Sequence, residues 1–278
     1  KDDESKNFWI ENGIDESHIS FYDDSKNWWS RSGVPENMPE GEPGGPDSEM
    51  FFDFDPKNEK KIHENSQFKS DACHPNCDCG RFIEIGNSVF IQYKKTGDKL
   101  VELAQKNVDF GGGLTRMAAA TVDDNDIFNL DVFADAKNIL ENISSKNYND
   151  SEENKFNFRI IFDHVHAATF LIGDGVVPGN KDQMYFVRRL IRRAIVAGHK
   201  LNIHENFTKA IGETFINKYK EAEEWLNRAV KMGGKSSISE HYGDVLYKLD
   251  RKEEALKYWQ EAKAAGGGSE FLDKKNNR

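Results

Sequence analysis

One segment of the 278-residue chain, VDFGGGLTRMAAA at 108–120, constrains its fold most. A β-branched residue and an aspartate lead into three consecutive glycines, and the start of an alanine-rich helix follows. The pattern predicts a strand, a turn and a helix, in which glycines let the backbone approach a ligand closely. Asp109 can pair with a cation, and Arg116 can bind an anion through a bidentate fork. The segment suits a small zwitterion or a nucleotide phosphate; the alternative is a flexible loop before a helix.

Apolar periodicity gives a coarse order of elements along the rest of the chain. The segments predicted in the first half are a strand at 17–22, a loop at 30–48, an exposed insertion at 55–72, and strands at 80–93 and 99–110. Strands joined by loops rather than by crossover helices favour an antiparallel sheet. A helix is predicted near 124–144, and helical spacing fills most of 159–218. The chain is therefore predicted to be α+β, with an all-α region after the sheet.

Four blocks in a fixed order carry a resemblance to a known family. They are NWW followed by GEPGGPDSE within 26–53, FIEIGNSVFIQY at 82–93, VDFGGGLTR at 108–116, and residues 159–193 with FDHVHAA and VVPGN. With these blocks the chain resembles the alanyl-tRNA synthetase family of class II aminoacyl-tRNA synthetases, over roughly 7–217. The resemblance implies a class II antiparallel sheet flanked by helices. It also implies ATP-dependent activation of alanine and its transfer to tRNA-Ala, with ATP and Mg²⁺ as cofactors.

The resemblance also implies roles for individual residues. Asp109 and Arg116 are the candidate catalytic residues, which would hold the ammonium of alanine and the terminal phosphates of ATP. The remaining candidates for alanine binding are Trp29, Asn87, Val89, Gly111 and Gly113. Those for ATP binding are Glu49, Gly113 and Arg116. From the residues alone, Trp29 could instead be a core aromatic, and Asn87 a hydrogen-bonding residue at a strand end.

A local basic strip, FVRRLIRRAIVAGHKL, is the candidate RNA-binding segment. Its tRNA-binding candidates are Arg188, Arg189, Arg192 and Arg193, together with Asn180 in the PGN sequence before them. Arginines four apart share a helix face, and such contacts to phosphate position an RNA rather than read its sequence. Without the resemblance, the strip could be a solvated helix face with Asn180 as a helix cap.

The resemblance divides the chain into three predicted regions. Residues 1–157 form part of a class II aminoacylation domain, 158–218 a partial helical tRNA-recognition region, and 219–278 a tail of different character. In the tail, Ala222, Leu226 and Ala229 recur 33 positions later as Ala255, Trp259 and Ala262. Together with Gly243, this offset resembles about one and a half tetratricopeptide repeats. So short an array buries little surface alone, so we expect the tail to pack on the preceding helices or on another chain, which makes it a candidate docking point for a protein partner.

The cysteines Cys73, Cys77 and Cys79 are confined to one segment, CHPNCDC. Thiolates with the nearby His74 could ligate zinc. The spacing departs from usual zinc-finger patterns, and we expect an exposed loop before a strand, with no metal. A second pair, Asp163 and His166 in DHVH, shares a helix face but is expected to serve a structural or tRNA-side role.

Bulk properties narrow the function classes. A formal net charge of −10 argues against indiscriminate nucleic-acid binding, so we expect no DNA partner and a confined RNA patch. No membrane-length apolar run or signal peptide is present in the sequence, which predicts a cytoplasmic protein. The chain reads as a fragment that lacks the family's first two motifs and its editing domain. We therefore expect it to activate alanine poorly alone; the alternative is a non-catalytic RNA- or protein-binding module.

Overall fold

The computed structural model describes residues 2–233, 236–266 and 272, without the side chains at 219, 221, 222 and 225. The chain divides into two compact units, Lys1–Leu130 and Asp131–Arg278. The predicted functional boundaries after 157 and 218 lie inside helices of the second unit, and they stay predictions.

The first unit is built on an antiparallel sheet whose strand order follows the chain, β1-β2-β3-β4. Its elements are α1 (Asp3–Glu11), β1 (Trp28–Ser30), β2 (Pro43–Asp53), β3 (Phe82–Thr96), β4 (Lys99–Gly112) and α2 (Leu114–Thr121). Three short 3-10 helices also occur, at Glu16–His18, Pro35–Asn37 and Ile127–Asn129. The predicted strands at 80–93 and 99–110 are confirmed as β3 and β4, and the α+β class is confirmed with them.

Two predictions in the first unit are wrong. The predicted strand at 17–22 is a 3-10 helix followed by irregular backbone. The predicted loop at 30–48 ends early, because β2 begins at Pro43. A β-carbon on Gly45 would lie 1.8 Å from the carbonyl oxygen of Phe90. The glycines in this segment therefore permit close strand pairing, whereas the sequence pattern had indicated a turn.

The second unit is helical. Its helices are α3 (Asp131–Ser144), α4 (Glu152–Gly173), α5 (Asp182–Lys200), α6 (Thr208–Lys231), α7 (Ser236–Lys248) and α8 (Lys252–Ala264). An aromatic cluster forms its core, with Phe158 and Phe162 fully buried on α4. The predicted helical region at 159–218 is confirmed, and the turn at DGVVPGNKD separates α4 from α5. Within the described residues, none of the helices is long and apolar enough to cross a membrane.

The last two helices, α7 and α8, pack closely through a glycine. A β-carbon on Gly243 would lie 2.5 Å from Cδ1 of Trp259, so only glycine lets the indole approach at this point. Ala255, Trp259 and Ala262 are buried in this contact, with Leu226 of α6 packed against it. The small residues act as the sequence predicted, although the side chain of Ala222 lies outside the described residues. The assignment of this tail as a tetratricopeptide-like array stays a prediction.

Candidate functional site

The glycine segment forms the junction between β4 and α2. Gly112 ends the strand, Gly113 caps the helix, and the amide of Gly113 donates to the carbonyl of Ile85 over 3.0 Å. A β-carbon on Gly111 would meet no atom within 4 Å apart from those of the two adjacent residues. The space beside this end of the strand is therefore open. The sequence therefore predicted the strand–turn–helix arrangement correctly.

Strand register brings the predicted pocket residues into two adjacent rows. Asn87 of β3 lies opposite Glu49 of β2 and Gly111 of β4. Two positions further on, Val89 lies opposite Asp47 and Asp109. Directly opposed residues share a face of a sheet, and so do residues two apart on one strand. Five of the predicted residues, Glu49, Asn87, Val89, Asp109 and Gly111, therefore lie on one face across three strands.

A β-bulge places a further carboxylate on this face. Met50 pairs with Gly86, whereas the next residue, Phe51, pairs with Glu84, so Ile85 is the extra residue. An inserted residue reverses the alternation of side chains, and Glu84 therefore lies on the same side as Asn87. Without the bulge Glu84 would lie on the opposite face, because it is three residues from Asn87 and side chains alternate along a regular strand.

Arg116 extends from the first turn of α2 to this end of the face. Its Nη1 donates to the carboxylate of Glu84 at 2.9 Å and to the carbonyl of the same residue at 3.1 Å. The guanidinium is partly exposed, so it can accept a further anion. Because α2 directly follows the glycines, the chain holds Arg116 next to the two rows.

Buried polar atoms surround the centre of the face. The amide of Asn87 donates to Asp47 Oδ2 over 3.0 Å, while Asp47 Oδ1 and Asn87 Oδ1 are buried without a partner among the described residues. Burial raises the pKa of Asp47, and the carboxylate of Glu84 adds to the increase. An unpaired buried acceptor is costly. Two such acceptors are therefore concentrated in this part of the sheet.

Glu49 has the most perturbed carboxyl group in this site. Burial raises its pKa to about 7, and the carboxylates of Glu84 and Asp47 contribute, while Lys26 and Arg116 oppose the shift. The residue therefore changes charge near neutral pH.

The raised pKa of Glu49 predicts a stability that falls as the pH rises. Its folded pKa lies above the ordinary value of 4.5, so between about pH 4.5 and pH 7 the folded state binds more protons. Stability is therefore lost across this window. At pH 8 the ionised carboxylate of Glu49 lowers the free energy of unfolding by about 1 kcal/mol after solvent screening. Glu49→Gln removes this charge and is therefore expected to raise Tm by about 2–4 °C. At pH 5 the effect should nearly vanish, as measured by thermal unfolding at both values.

The exposed Glu102 of β4 provides the control for this measurement. Glu102→Gln should leave Tm nearly unchanged at both pH values, because an exposed ion pair contributes little. An equal change in Tm at pH 5 and pH 8 for Glu49→Gln would contradict the assigned protonation.

Two predicted pocket residues are more open than the rest. Asp109 is exposed, and its carboxylate has no hydrogen-bond partner within the described residues. Trp29 is 41% exposed and lies on β1, opposite Gly45. Three strand spacings, about 14 Å, separate the backbones of β1 and β4. The roles of Asp109 and Trp29 in alanine binding stay predictions.

Sequence reasoning missed Asp47 and Glu84. Asp47 is two residues before Glu49, which would place both on one face of a strand, but the predicted loop over 30–48 concealed this relation. The position of Glu84 depends on the bulge, and the one hint of a bulge in the sequence is the isolated glycine in the strand, Gly86.

The basic strip forms one wall of a groove in the second unit. Arg189, Arg192 and Arg193 line it, and its volume is about 400 Å³. The other lining residues are Asn157, Ile160, Tyr185, Val196, Ala197 and Lys200. The opposite face of α5 is buried through Val187 and Leu190, which pack against α4. These buried contacts orient the three arginines towards solvent.

The four predicted arginines have different surroundings, and three of them line the groove. Arg188 donates from Nη1 to Oδ1 of Asn180 and does not line the groove. Arg189, Arg192 and Arg193 form no ion pair within the part of the chain that the structure describes, and all three are exposed. Sequence reasoning missed Asn157, whose buried Oδ1 has no partner among the described residues.

The histidine of the pair in DHVH, His166, packs among aromatic rings. The ring of His166 lies 4.5 Å from that of Phe170 and 4.6 Å from that of Phe215, and burial lowers its pKa. Asp163 instead pairs with Nδ1 of His164 at 3.0 Å. The two residues that the motif suggested as a pair therefore have different partners.

The cysteines lie in the connection between β2 and β3. Their sulfur atoms and a ring nitrogen of His63 are within 4.8 Å of one another, whereas the neighbouring His74 is not part of the cluster. Sequence reasoning missed His63, which lies ten positions before Cys73.

Comparisons with known proteins find a matching family model and several similar proteins. A family model described as "tRNA synthetases class II (A)" matches residues 1–235. Alanine–tRNA ligase of Pediococcus pentosaceus is 34% identical over 83% of the chain and 25% of its own length. That of Streptococcus pyogenes is 33% identical over 98% of the chain and 28% of its length. That of Treponema denticola is 36% identical over 74% and 32%. The chain thus spans about a quarter to a third of these relatives.

Proposed function

Because this chain belongs to the class II tRNA synthetase family, we propose that it carries part of the substrate site of an alanine–tRNA ligase. The family membership confirms the resemblance that the four sequence blocks indicated. The activity itself, with its substrates alanine, ATP and tRNA-Ala, is the proposal. The alternative of a non-catalytic binding module has less support, since the relatives compared are consistently alanine–tRNA ligases.

The two rows on the sheet support this proposal most directly. Asp109 would hold the ammonium of alanine, with Asn87 beside it and Val89 as the apolar contact for the methyl group. The hydrogen bond from Asn87 to Asp47 would hold the asparagine in place next to Val89 and Asp109. The open space beside Gly111 would let main-chain atoms approach the substrate, whereas a β-carbon on Gly113 would lie 3.0 Å from Cδ of Arg116, so Gly113 makes room for that arginine.

Arg116 and Glu49 would serve the nucleotide. Class II synthetases in general use ATP and Mg²⁺, and a planar guanidinium is suited to a polyphosphate. Arg116 would contact the terminal phosphates while the carboxylate of Glu84 holds its orientation. Glu49, Asp47 and Glu84 supply oxygen atoms of the kind that magnesium prefers.

The proposed reaction depends on positioning and charge stabilisation. The carboxylate of alanine would attack the α-phosphate of ATP, which forms alanyl-adenylate and releases pyrophosphate. A hydroxyl of the terminal adenosine of the tRNA would then attack the alanyl carbonyl, which forms the ester to the tRNA and releases AMP. Residues here would align the reactants and neutralise developing charge without themselves forming a covalent bond to the substrate. One missing methyl group changes binding by only about 1–3 kcal/mol, so glycine would need to be rejected elsewhere.

The groove of α4 and α5 would contact the tRNA. Three exposed arginines and Lys200 offer positive charge on a chain of net charge −10. The half-exposed ring of Tyr185 beside them could stack on a base or sugar. Arg188 and Asn180, which bind each other, would act together at the start of α5. The tail, as a docking point for a protein partner, stays a separate proposal.

A non-hydrolysable alanyl-adenylate analogue tests the proposed substrate site. At about 100 times its Kd, the analogue is expected to stabilise the chain by about 2.7 kcal/mol, which raises Tm by several degrees. Asp109→Ala should abolish the shift, because the ammonium would lose its counter-charge. The measurement is thermal unfolding with and without the analogue.

Asp98 provides the matched control. It is another exposed aspartate of the same sheet, in the turn between β3 and β4. Asp98→Ala should leave the shift intact. If the wild-type chain shows no shift, or Asp109→Ala keeps it, the assigned alanine site is wrong.

A further inference from the structure

The connection between β2 and β3 is long and has little regular structure. Residues 54–81 contain turns and bends but neither helix nor strand. Loops of this length without secondary structure are uncommon in a compact domain and need a source of order. Phe54 and Asp55 are nevertheless buried at its start, and His63 is only 7% exposed. The connection is therefore folded onto itself.

Four soft or borderline ligand atoms meet inside this connection. The sulfurs of Cys73, Cys77 and Cys79 and a ring nitrogen of His63 all lie within 4.8 Å of one another. A tetrahedral zinc with Zn–S of about 2.3 Å and Zn–N of about 2.05 Å has S···N edges of about 3.6 Å. The sulfur of Cys77 and Nδ1 of His63 are already 3.7 Å apart. The cluster thus needs only a small contraction around an ion.

The hydrogen bonds of His63 prepare one nitrogen for a metal. Its Nε2 lies 3.0 Å from the carbonyl oxygen of Asp71, which is an acceptor only. The proton must then be on Nε2, so Nδ1 keeps a lone pair directed at the thiol cluster. Metal-bound histidines almost always donate their other ring N–H in this way.

The backbone around the cluster is also held in place. The carboxylate of Asp55 accepts the amides of Lys60 at 3.0 Å and Ile62 at 3.2 Å, which fixes the turn before His63. At the other end, the amide of Arg81 donates to the sulfur of Cys79 over 3.5 Å. Such bonds to a ligating sulfur orient it and stabilise its thiolate form.

We propose that His63, Cys73, Cys77 and Cys79 form a structural zinc site. Four protein ligands complete a tetrahedron, which leaves no open position for a substrate, as in structural rather than catalytic zinc centres. The ion would organise the connection and anchor the start of β3, the strand that carries Asn87 and Val89. His74, although it is next to Cys73, does not take part, because its Nδ1 lies 2.9 Å from the hydroxyl of Tyr22.

Metal content of the full chain tests this site. Wild-type protein purified without chelators should contain about one zinc per chain, measured by elemental mass spectrometry. Zinc content in Cys77→Ser and His63→Ala should fall to about a tenth or less, because three remaining ligands leave the structural tetrahedron incomplete. His74→Ala is the matched control, since it also removes a histidine beside the thiols, and it should keep its zinc.

Cobalt(II) gives a second measurement that does not depend on the stability of the variants. Titration into metal-free wild type should produce the visible absorption of a tetrahedral thiolate complex and protect the 57–80 amides from hydrogen exchange. Folded wild-type protein that binds neither zinc nor cobalt would overturn the site. So would loss of zinc in His74→Ala with retention in His63→Ala, or a disulfide among the three cysteines in freshly purified protein.

Discussion

Replacing Phe162 with alanine is expected to lower the free energy of unfolding of the helical unit by about 3–5 kcal/mol. The side chain is fully buried on α4, and its ring lies 5.9 Å from those of both Phe133 and Phe158. Removing it leaves a cavity that rigid rings from several helices cannot refill. Urea denaturation followed by far-ultraviolet circular dichroism measures the loss as a lower midpoint.

Phe156 gives the matched control, because it lies on the same helix but is 59% exposed. Phe156→Ala should change the free energy of unfolding by about 0.5 kcal/mol or less. The comparison separates burial from the helix propensity of the new alanine, which is similar at both positions. Equal losses for the two variants would show that the aromatic cluster does not hold the unit together.

The end of β4 and the start of α2 could be predicted because neighbouring residues determine them. Three glycines before an alanine-rich segment predict the end of a strand and the start of a helix. In the structure β4 ends at Gly112 and α2 begins at Leu114. The antiparallel sheet also followed from loops too poor in helical pattern to make crossovers. These are properties of single segments or of neighbouring ones, which periodicity describes well.

Contacts between distant segments could not be predicted in the same way. The prediction of a loop around Gly45 is wrong, since nothing local shows that the carbonyl of Phe90 will occupy the space of its missing β-carbon. His63 was missed for the same reason, because folding of a long connection brings it to the cysteines. The face of the sheet on which Glu84 lies depends on one bulge, which reverses the side-chain alternation of β3. Registers and irregular loops are set by tertiary packing.

The arginines of α5 show how structure refines a prediction from charge. Spacing alone gave two equivalent pairs, 188 with 192 and 189 with 193. In the structure Arg188 binds Asn180, while the other three line the groove beside Asn157. An RNA phosphate would thus meet a convergent set of three guanidinium groups, and the first arginine would instead orient the turn that precedes α5.

Neutralising Arg192 and Arg193 together is therefore expected to weaken binding of tRNA-Ala by tenfold or more at moderate salt. Each charged hydrogen bond to phosphate contributes about 1.5–3 kcal/mol, and the double variant keeps two of the four cations that line the groove, Arg189 and Lys200. The double variant Arg192→Gln with Arg193→Gln should also make the slope of log K against log salt shallower by about 1–2. Each phosphate contact that is lost reduces the number of counterions released when the tRNA binds. Filter binding or fluorescence anisotropy at several ionic strengths measures both quantities.

Lys252 and Lys257 of α8 supply a control with the same change of net charge, and both are more than 60% exposed. Lys252→Gln with Lys257→Gln should leave the slope intact if binding depends on the groove rather than on net charge. A common loss of affinity in both double variants would instead indicate a diffuse electrostatic attraction. An unchanged slope in the arginine variant would exclude the groove from the RNA interface, because a phosphate contact cannot be lost without a change in counterion release.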